Sequence, residues 1–187
     1  DAVLMVWYPG QEGGNAVADI IFGEVSPSGR LPITFPKSLD DLPPYEDYTM
    51  KGRTYKYMDA EPMYPFGYGL SYSDFELSKE KIRKGQNLEA SLEVSNVGDR
   101  EAEEVVQLYV SDLETSVDAP KYQLYGIKRV NLKAGSSKEI KFEITPEMME
   151  LVNHDGESVI EKGEFKIYIG SSSPSARSLE LGAAQFK

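Results

Sequence analysis

The sequence predicts a mainly β fold, in which a β-sandwich follows a truncated α/β segment and a long connector rich in aromatic residues. Apolar and polar residues alternate with a period of two in several segments after residue 75. An uninterrupted apolar run opens the chain, and prolines and tyrosines crowd the stretch between the two parts. We therefore predict an α/β remnant over residues 1–35, a connector over 36–74 and a sandwich over 75–187.

The opening segment has the pattern of an α/β layer. Ala2–Trp7 is a continuous apolar run, which is typical of a strand buried on both faces in a parallel sheet. Asn15 then offers an N-cap for a short helix over Ala16–Phe22, and Gly23 supplies its left-handed end. Leu31–Phe35 reads as a short extended segment. Strand, helix, turn and strand together resemble the end of an α/β layer.

The first residues also lead us to expect a fragment or a processed piece of a longer protein. The chain opens inside the apolar run, with neither a signal peptide nor an initiator Met. A strand that has lost its sheet neighbours offers unpaired backbone groups and exposed apolar side chains. We expect Ala2–Trp7 to pair with a second copy, giving a homodimer, or to fold back onto the sandwich.

The connector cannot form long helices, because prolines interrupt it repeatedly. These prolines are Pro36, Pro43, Pro44, Pro62 and Pro65. Aromatic residues are too frequent between Tyr45 and Phe75 for a solvated linker, so the connector should lie against a surface. Two roles remain open for the rings: an exposed sugar-binding platform, or buried packing between domains, which is favoured because buried aromatic rings contribute strongly to packing.

The last part contains about seven candidate strands, the number expected of a fibronectin type III-like, that is immunoglobulin-like, sandwich. Leu88–Asn96 alternates well, with Leu88, Ala90, Leu92 and Val94 predicted to face inward. A single helical turn is expected near Met148–Leu151. The other candidate strands are Phe75–Ile82, Val105–Val110, Leu124–Leu132, Glu139–Ile144, Phe165–Gly170 and Leu179–Phe186.

Composition excludes several classes of function. The net charge is −11, and an acidic surface repels phosphate backbones, so no nucleic-acid partner is expected. No apolar run approaches the roughly 18 residues that span a bilayer, so no membrane span is expected. The sequence has no cysteine, which excludes disulfides, thiol catalysis and cysteine-ligated zinc. The compartment stays open, with a periplasmic or secreted location favoured over a cytoplasmic one.

Three long motifs, in order along the chain, resemble the C-terminal part of family 3 glycoside hydrolases. The first resembles the end of the second, α/β-sandwich domain; the second resembles the entry into the third domain; the third resembles that fibronectin type III-like domain itself. The matching stretches are Trp7–Ala16, Ala18–Gly23 and Pro27–Pro32, then Tyr64–Tyr72, then Glu104–Val110 with Gly126–Val130. The resemblance covers nearly the whole chain.

The resemblance implies a parent enzyme similar to retaining β-glucosidases and β-xylosidases, acting on β-linked oligosaccharides or aryl glycosides. Such chemistry needs two carboxylates about 5–5.5 Å apart, one a nucleophile and the other an acid/base. In the family pattern the nucleophile is an Asp of the N-terminal barrel, and the acid/base Glu precedes the stretch that here is Pro9–Gly14. Neither lies in this chain. We therefore expect no catalytic residue here, no hydrolysis by the chain alone, and the barrel and α/β domains as its partners.

Four residues are candidates for contributing to a substrate pocket. Glu12 lies in a Gly-rich turn after the predicted strand, a place where α/β folds bind ligands. Trp7 beside it could stack on a sugar ring. Arg53 and Tyr55, in the middle of the connector, could reach the active-site cleft of the full enzyme. The alternatives are a structural turn for Glu12, a core position for Trp7, a salt bridge within the connector for Arg53, and interdomain packing for Tyr55.

No cofactor or metal is predicted. Gly13 and Gly14 precede a helix but lack both the dinucleotide glycine pattern and a Walker lysine. His154 is the single histidine, and the spacing of Asp112, Glu114 and Asp118 lacks the EF-hand order. Two alternatives to a structural hydrolase piece stay open: a free-standing carbohydrate-binding or adhesion module, and an oligomerisation piece.

Overall fold

The computed structural model describes residues 2–85, 87–180 and 183–186. The helices and 3₁₀ turns of the described residues are short. They are α1 (Gly13–Ile21), a 3₁₀ turn at Leu39–Asp41, α2 (Thr54–Tyr57), a 3₁₀ turn at Pro146–Met149 and α3 (Ala176–Glu180). The strands are β1 (Phe75–Lys84), β2 (Leu88–Asn96), β3 (Ala102–Asp112), β4 (Gln123–Leu132), β5 (Ser137–Ile144), β6 (Leu151–Val152), β7 (Ser158–Val159), β8 (Phe165–Gly170) and β9 (Ala184–Phe186).

Two antiparallel sheets form the sandwich, with strand orders β1-β2-β5 and β4-β3-β8-β9, and β6 and β7 make a small separate hairpin. Apolar side chains from the facing sides of both sheets share one core. Its fully or almost fully buried members are Ala90, Leu92, Val94, Val106, Leu108, Val130, Leu132, Ile140, Phe142, Ile144, Ile167 and Ile169. The prediction of a mainly β sandwich is confirmed.

Most of the strand predictions hold, because period-two alternation identifies a surface that is buried on one side. Leu88–Asn96 and Phe165–Gly170 are strands with the predicted bounds. The helical turn predicted at Met148–Leu151 lies two residues earlier, as the 3₁₀ turn Pro146–Met149, and Leu151 belongs to β6. The turn begins at Pro146, where a missing N–H costs nothing. The last prediction was wrong in part: Leu179 lies in α3, and only Ala184–Phe186 forms a strand, while residues 181 and 182 lie outside the described residues.

The prediction of a buried strand at Ala2–Trp7 was wrong for this chain. These residues form no strand, and the side chains of Val3, Leu4 and Trp7 are exposed. A buried strand needs hydrogen-bonding neighbours on its edges and cover on its faces, and the described residues supply neither. The homodimer through this segment stays a prediction.

Helix α1 begins earlier than expected. It starts at Gly13, with Glu12 rather than Asn15 in the N-cap position, and Gly23 follows it at φ +79° as predicted. No residue of α1 is buried. The Tyr72 hydroxyl donates to the Ile20 carbonyl at 2.8 Å, and the Tyr72 N–H donates to Ser26 Oγ at 3.0 Å. These bonds attach the end of the first segment to the entry into the sandwich.

The connector follows the outer surface of the sandwich and is only partly buried. The predicted extended segment forms no strand, but Phe35 and Tyr64 form an isolated antiparallel bridge. The Leu31 N–H donates to the Tyr68 carbonyl at 2.9 Å, and the Leu31 carbonyl accepts the Gly67 N–H at 2.7 Å. The connector tyrosines differ in burial. Tyr55 is packed among other rings, whereas Tyr45 and Tyr48 are 87% and 88% exposed. Within the described residues of this chain nothing covers those two rings, and their packing between domains stays a prediction.

Candidate functional site

Trp7 and Glu12 lie in the exposed first segment. Trp7 has φ +51°, a conformation that few bulky side chains adopt, and its side chain is half exposed. Glu12 Oε2 accepts a hydrogen bond from Asn15 Nδ2 at 2.6 Å, across the first turn of α1. In the described residues no hydrogen bond or ring contact links either side chain to Arg53 or Tyr55.

Arg53 holds the connector in shape through backbone carbonyls. Its Nη2 donates to the Asp47 carbonyl at 2.6 Å and to the Pro44 carbonyl at 3.0 Å, and its Nε donates to the Thr49 carbonyl at 3.3 Å. The expected salt bridge was therefore wrong in its acceptor, although the role within the connector holds. The Thr49 N–H bonds to Asp47 Oδ1 at 2.8 Å; this bond and, more weakly, the charge of Arg53 lower the pKa of Asp47.

Tyr55 anchors the connector on the four-stranded sheet. Its ring stacks on Phe66, with centroids 4.5 Å apart, and meets the ring of Tyr109 on β3 edge-on at 5.8 Å. The Tyr55 hydroxyl accepts the N–H of Leu124 on β4 at 3.4 Å. Burial raises the pKa of Tyr55, so its hydroxyl stays protonated at neutral pH.

Next to the ring cluster formed by Tyr55, Phe66 and Tyr109, buried polar groups join the connector to β3. Gln107 lies on the face of β3 opposite to the core residues Val106 and Leu108, yet it is only 2% exposed. Its Nε2 donates to the Gly67 carbonyl at 3.0 Å and to the Ser171 carbonyl at 2.7 Å. Its Oε1 accepts the hydroxyl of Tyr109 at 2.6 Å. The amide of Gln107 is thus bonded on both its nitrogen and its oxygen.

An ion pair completes this interface. Arg30 Nη2 lies 2.6 Å from Glu104 Oε1, and both side chains are 8% exposed. Glu104 Oε1 also accepts the Val105 N–H at 2.9 Å, whereas Arg30 Nε is buried without a hydrogen-bond partner. Arg30 belongs to the first of the three sequence motifs and Glu104 to the third. The ion pair therefore links the end of the predicted α/β segment to the sandwich.

A cleft of about 340 Å³ opens beside the ring cluster. Connector residues, the loop before β4, the outer face of β8 and the C-terminal segment all contribute to its walls. Its principal side chains are those of Tyr55, Met58, Asp59, Glu61, Lys121, Tyr122, Lys166, Tyr168, Leu179 and Gln185. Of the four predicted pocket residues, only Tyr55 lines this cleft.

A second depression, of about 430 Å³, lies between the free edges of β4 and β5 and is lined mainly by basic side chains. Most of these groups already have partners. Lys128 Nζ donates to the Lys141 carbonyl, Arg129 pairs with Glu103, and Lys141 lies near Glu89 and Glu139. This depression therefore offers few free groups to a ligand.

Within the part of the chain that the structure describes, no three His, Cys, Asp or Glu side chains are placed to hold a metal ion. Nor does any described helix combine the length and apolar character needed to cross a bilayer.

Arg30, Glu104, Gln107 and Tyr109 were missed as interface residues from sequence. A signal was present: Gln107 and Tyr109 occupy the outward positions of an otherwise apolar strand, inside a motif that was already recognised. A polar side chain at such a position is also typical of a solvated face. The sequence does not say that the connector covers it.

Comparison with known proteins gives two matching family models. The Glycosyl hydrolase family 3 C-terminal domain matches residues 1–72, and the Fibronectin type III-like domain matches residues 104–173. The chain belongs to glycoside hydrolase family 3, of which it carries the C-terminal region. The resemblance drawn from the three motifs is thereby confirmed, as is the fibronectin type III-like sandwich.

Relatives of this family 3 region are β-xylosidases and β-glucosidases. A putative beta-xylosidase of Formosa agariphila is 43% identical over 92% of this chain, which covers 24% of that protein. A periplasmic beta-glucosidase of Salmonella typhimurium is 40% identical over 92% of this chain, which covers 25% of it. The chain thus spans about a quarter of the length of these curated relatives.

Solved structures agree with the family 3 assignment. The beta-glucosidase of Listeria innocua superimposes with a TM-score of 0.77 at 34% identity, over 96% of this chain and 26% of that one. The Beta-D-glucoside glucohydrolase of Trichoderma reesei gives a TM-score of 0.77 at 27% identity, over 95% and 29%. Both neighbours therefore share the arrangement of first segment, connector and sandwich.

Proposed function

We propose that this chain is the structural C-terminal region of a retaining β-glycosidase that hydrolyses β-glucosides or β-xylosides. The similarity over 92% of the chain to a beta-xylosidase and a beta-glucosidase carries this proposal. In that enzyme, this region supports the catalytic domains and performs no chemistry. In keeping with that role, Glu12 is hydrogen-bonded to Asn15, and Trp7 lies apart from the aromatic cluster around Tyr55.

The partner of the first segment is the rest of the parent enzyme. Exposed apolar side chains cluster along residues 3–25 and include Val3, Leu4, Met5, Val6, Ile21, Phe22 and Val25. A concentration of exposed large apolar side chains in one segment is typical of an interaction site. In the parent enzyme the remainder of the α/β domain covers it, so that Ala2–Trp7 gains the strand neighbours that this chain lacks. A second copy of the chain is the alternative partner.

The proposal is tested by assaying aryl β-glucoside and aryl β-xyloside hydrolysis with this chain and with the complete protein. We expect activity from the complete protein and none from the chain alone. Glu12→Gln in the complete protein should leave kcat within about twofold, because a residue outside the reacting groups changes transition-state binding little. Hydrolysis by the chain itself, or a Glu12→Gln loss of several orders of magnitude, would overturn the proposal.

Sedimentation of the chain over a range of concentrations distinguishes the two partners of the first segment. If the remainder of the α/β domain is the partner, the chain stays monomeric or self-associates without a fixed stoichiometry. A discrete dimer that Val3→Asp abolishes would instead assign the segment to a second copy.

A further inference from the structure

The cleft beside the ring cluster is built from segments that are distant in sequence and fixed to one another. Lys121 Nζ donates to the Met58 carbonyl at 3.0 Å and pairs with Asp59, which ties the loop before β4 to the connector. Glu61 Oε1 accepts the Ala176 N–H at 3.1 Å, which ties the C-terminal segment to the connector. The walls are therefore held in place before any ligand arrives.

Tyrosine rings supply the apolar surfaces of the cleft. The rings of Tyr122 and Tyr168 meet at 90°, with centroids 5.2 Å apart, and Tyr55 lies on the connector side. Burial raises the pKa of all three phenols, so they stay neutral and keep their hydroxyl protons at neutral pH. A tyrosine presents an apolar face and a polar tip, which suits a ligand that has C–H faces and hydroxyl groups.

The charges that line the cleft are balanced and already engaged. Lys121 is paired with Asp59, and Lys166 Nζ lies 4.9 Å from the centroid of the Tyr168 ring. Glu61 is held by the backbone of Ala176. A charged ligand would have to displace one of these partners, whereas a neutral polar ligand can use the rings and the exposed amide of Gln185 without that cost.

We propose that this cleft is a non-catalytic binding site for a neutral oligosaccharide, in which sugar rings lie against Tyr122 and Tyr55. Its volume is at the lower end of the roughly 300–1,000 Å³ that ligand clefts occupy. The choice of gluco- and xylo-oligosaccharides as probes rests on the proposed function. The inference of a neutral, hydroxyl-bearing ligand rests only on the side chains of the cleft.

The test is calorimetric titration of the 187-residue chain with cellotriose and with xylotriose. We expect at least one of them to bind with a dissociation constant of about 1 mM or tighter. Tyr122→Ala removes a stacking face and should weaken binding about tenfold. Ala176→Trp places a bulky side chain at an exposed position of the cleft wall and should abolish binding without disturbing the core. Tyr48→Ala is the control, because Tyr48 is exposed on the connector outside the cleft.

Each other result counts against the site. Absence of heat with both sugars overturns the proposal, and so does binding that survives Ala176→Trp, since the sugar then binds elsewhere. Tighter binding of a glucuronate-bearing oligosaccharide than of its neutral counterpart would show that the lysines are free, which contradicts a neutral ligand. Glycoside hydrolysis by the complete protein is measured separately, so failure of this site leaves the proposed function standing.

Discussion

Arg30 and Glu104 form an ion pair from which water is almost excluded, and this isolation decides what the pair contributes. A buried pair loses much of its solvation, and its attraction compensates only while both partners are present. The exposed pair of Arg129 with Glu103 has little to lose, because its side chains are 55% and 33% exposed. The two pairs have the same chemistry and involve adjacent residues of β3, so they make a matched comparison.

Glu104→Ala should lower the free energy of unfolding by about 3–5 kcal/mol, because Arg30 then stays buried without a counter-charge. Glu103→Ala, the control, should lower it by less than about 1 kcal/mol. Urea denaturation at neutral pH measures both values. The double variant Arg30→Met with Glu104→Leu should be more stable than Glu104→Ala alone, and a double variant that is no more stable than Glu104→Ala would contradict the account.

At the scale of elements, the connector is docked on β3 by a close backbone approach at Gly67. This residue has φ +80°, and a Cβ there would collide with the Gln107 amide. That amide cannot swing away cheaply, because it is bonded to Gly67, Ser171 and Tyr109. Gly135, in the turn between β4 and β5, has a similar φ of +71° but nothing within 4 Å of a Cβ.

Gly67→Ala should therefore destabilise the chain more than Gly135→Ala. We expect Gly135→Ala to cost about 1–2 kcal/mol, the backbone strain of a left-handed alanine. Gly67→Ala should cost about 1–3 kcal/mol more, since the buried Gln107 loses hydrogen bonds as well. Equal losses in denaturant titrations of the two variants would mean that the connector does not press on β3.

At the scale of the whole molecule, buried tyrosines make the free energy of unfolding depend on pH in the alkaline range. Burial, and then the nearby Tyr55, raise the pKa of Tyr109 far above its ordinary value of 10.0. The unfolded chain releases the phenolic proton near pH 10, whereas the folded chain keeps it. The stabilisation is therefore complete below about pH 10 and declines as the pH rises further. Tyr55, Tyr122, Tyr125 and Tyr168, whose pKa values burial also raises, add in the same direction.

Tyr109→Phe separates the contribution of this one phenol. Below about pH 10 the variant should be less stable than the parent chain by about 1–3 kcal/mol, because Gln107 Oε1 loses its donor. Above about pH 10 the gap should narrow by about 1.4 kcal/mol per pH unit, since the variant has no proton to lose there. Denaturant titrations from about pH 8 to about pH 11 check this, and parallel profiles would contradict it.

The sequence by itself determined the sandwich, most of its strands and the order of the three motifs. Alternation along Leu88–Asn96 needs only local information, because a strand with one buried face repeats every two residues. Gly23 likewise predicted the end of α1, because glycine readily adopts the left-handed conformation that ends a helix. The same kind of local pattern gave a wrong prediction at Ala2–Trp7, because a buried strand depends on neighbouring elements that the segment's own sequence does not identify.

Only the tertiary structure decided how the connector is used. Gln107 and Glu104 read as ordinary strand positions until Gly67 and Arg30 are seen against them. The cleft joins Met58, Tyr122, Tyr168 and Gln185, which no sequence spacing connects. Contacts between distant segments depend on the path of the whole chain, and the pattern of one segment carries no record of what covers its outer face.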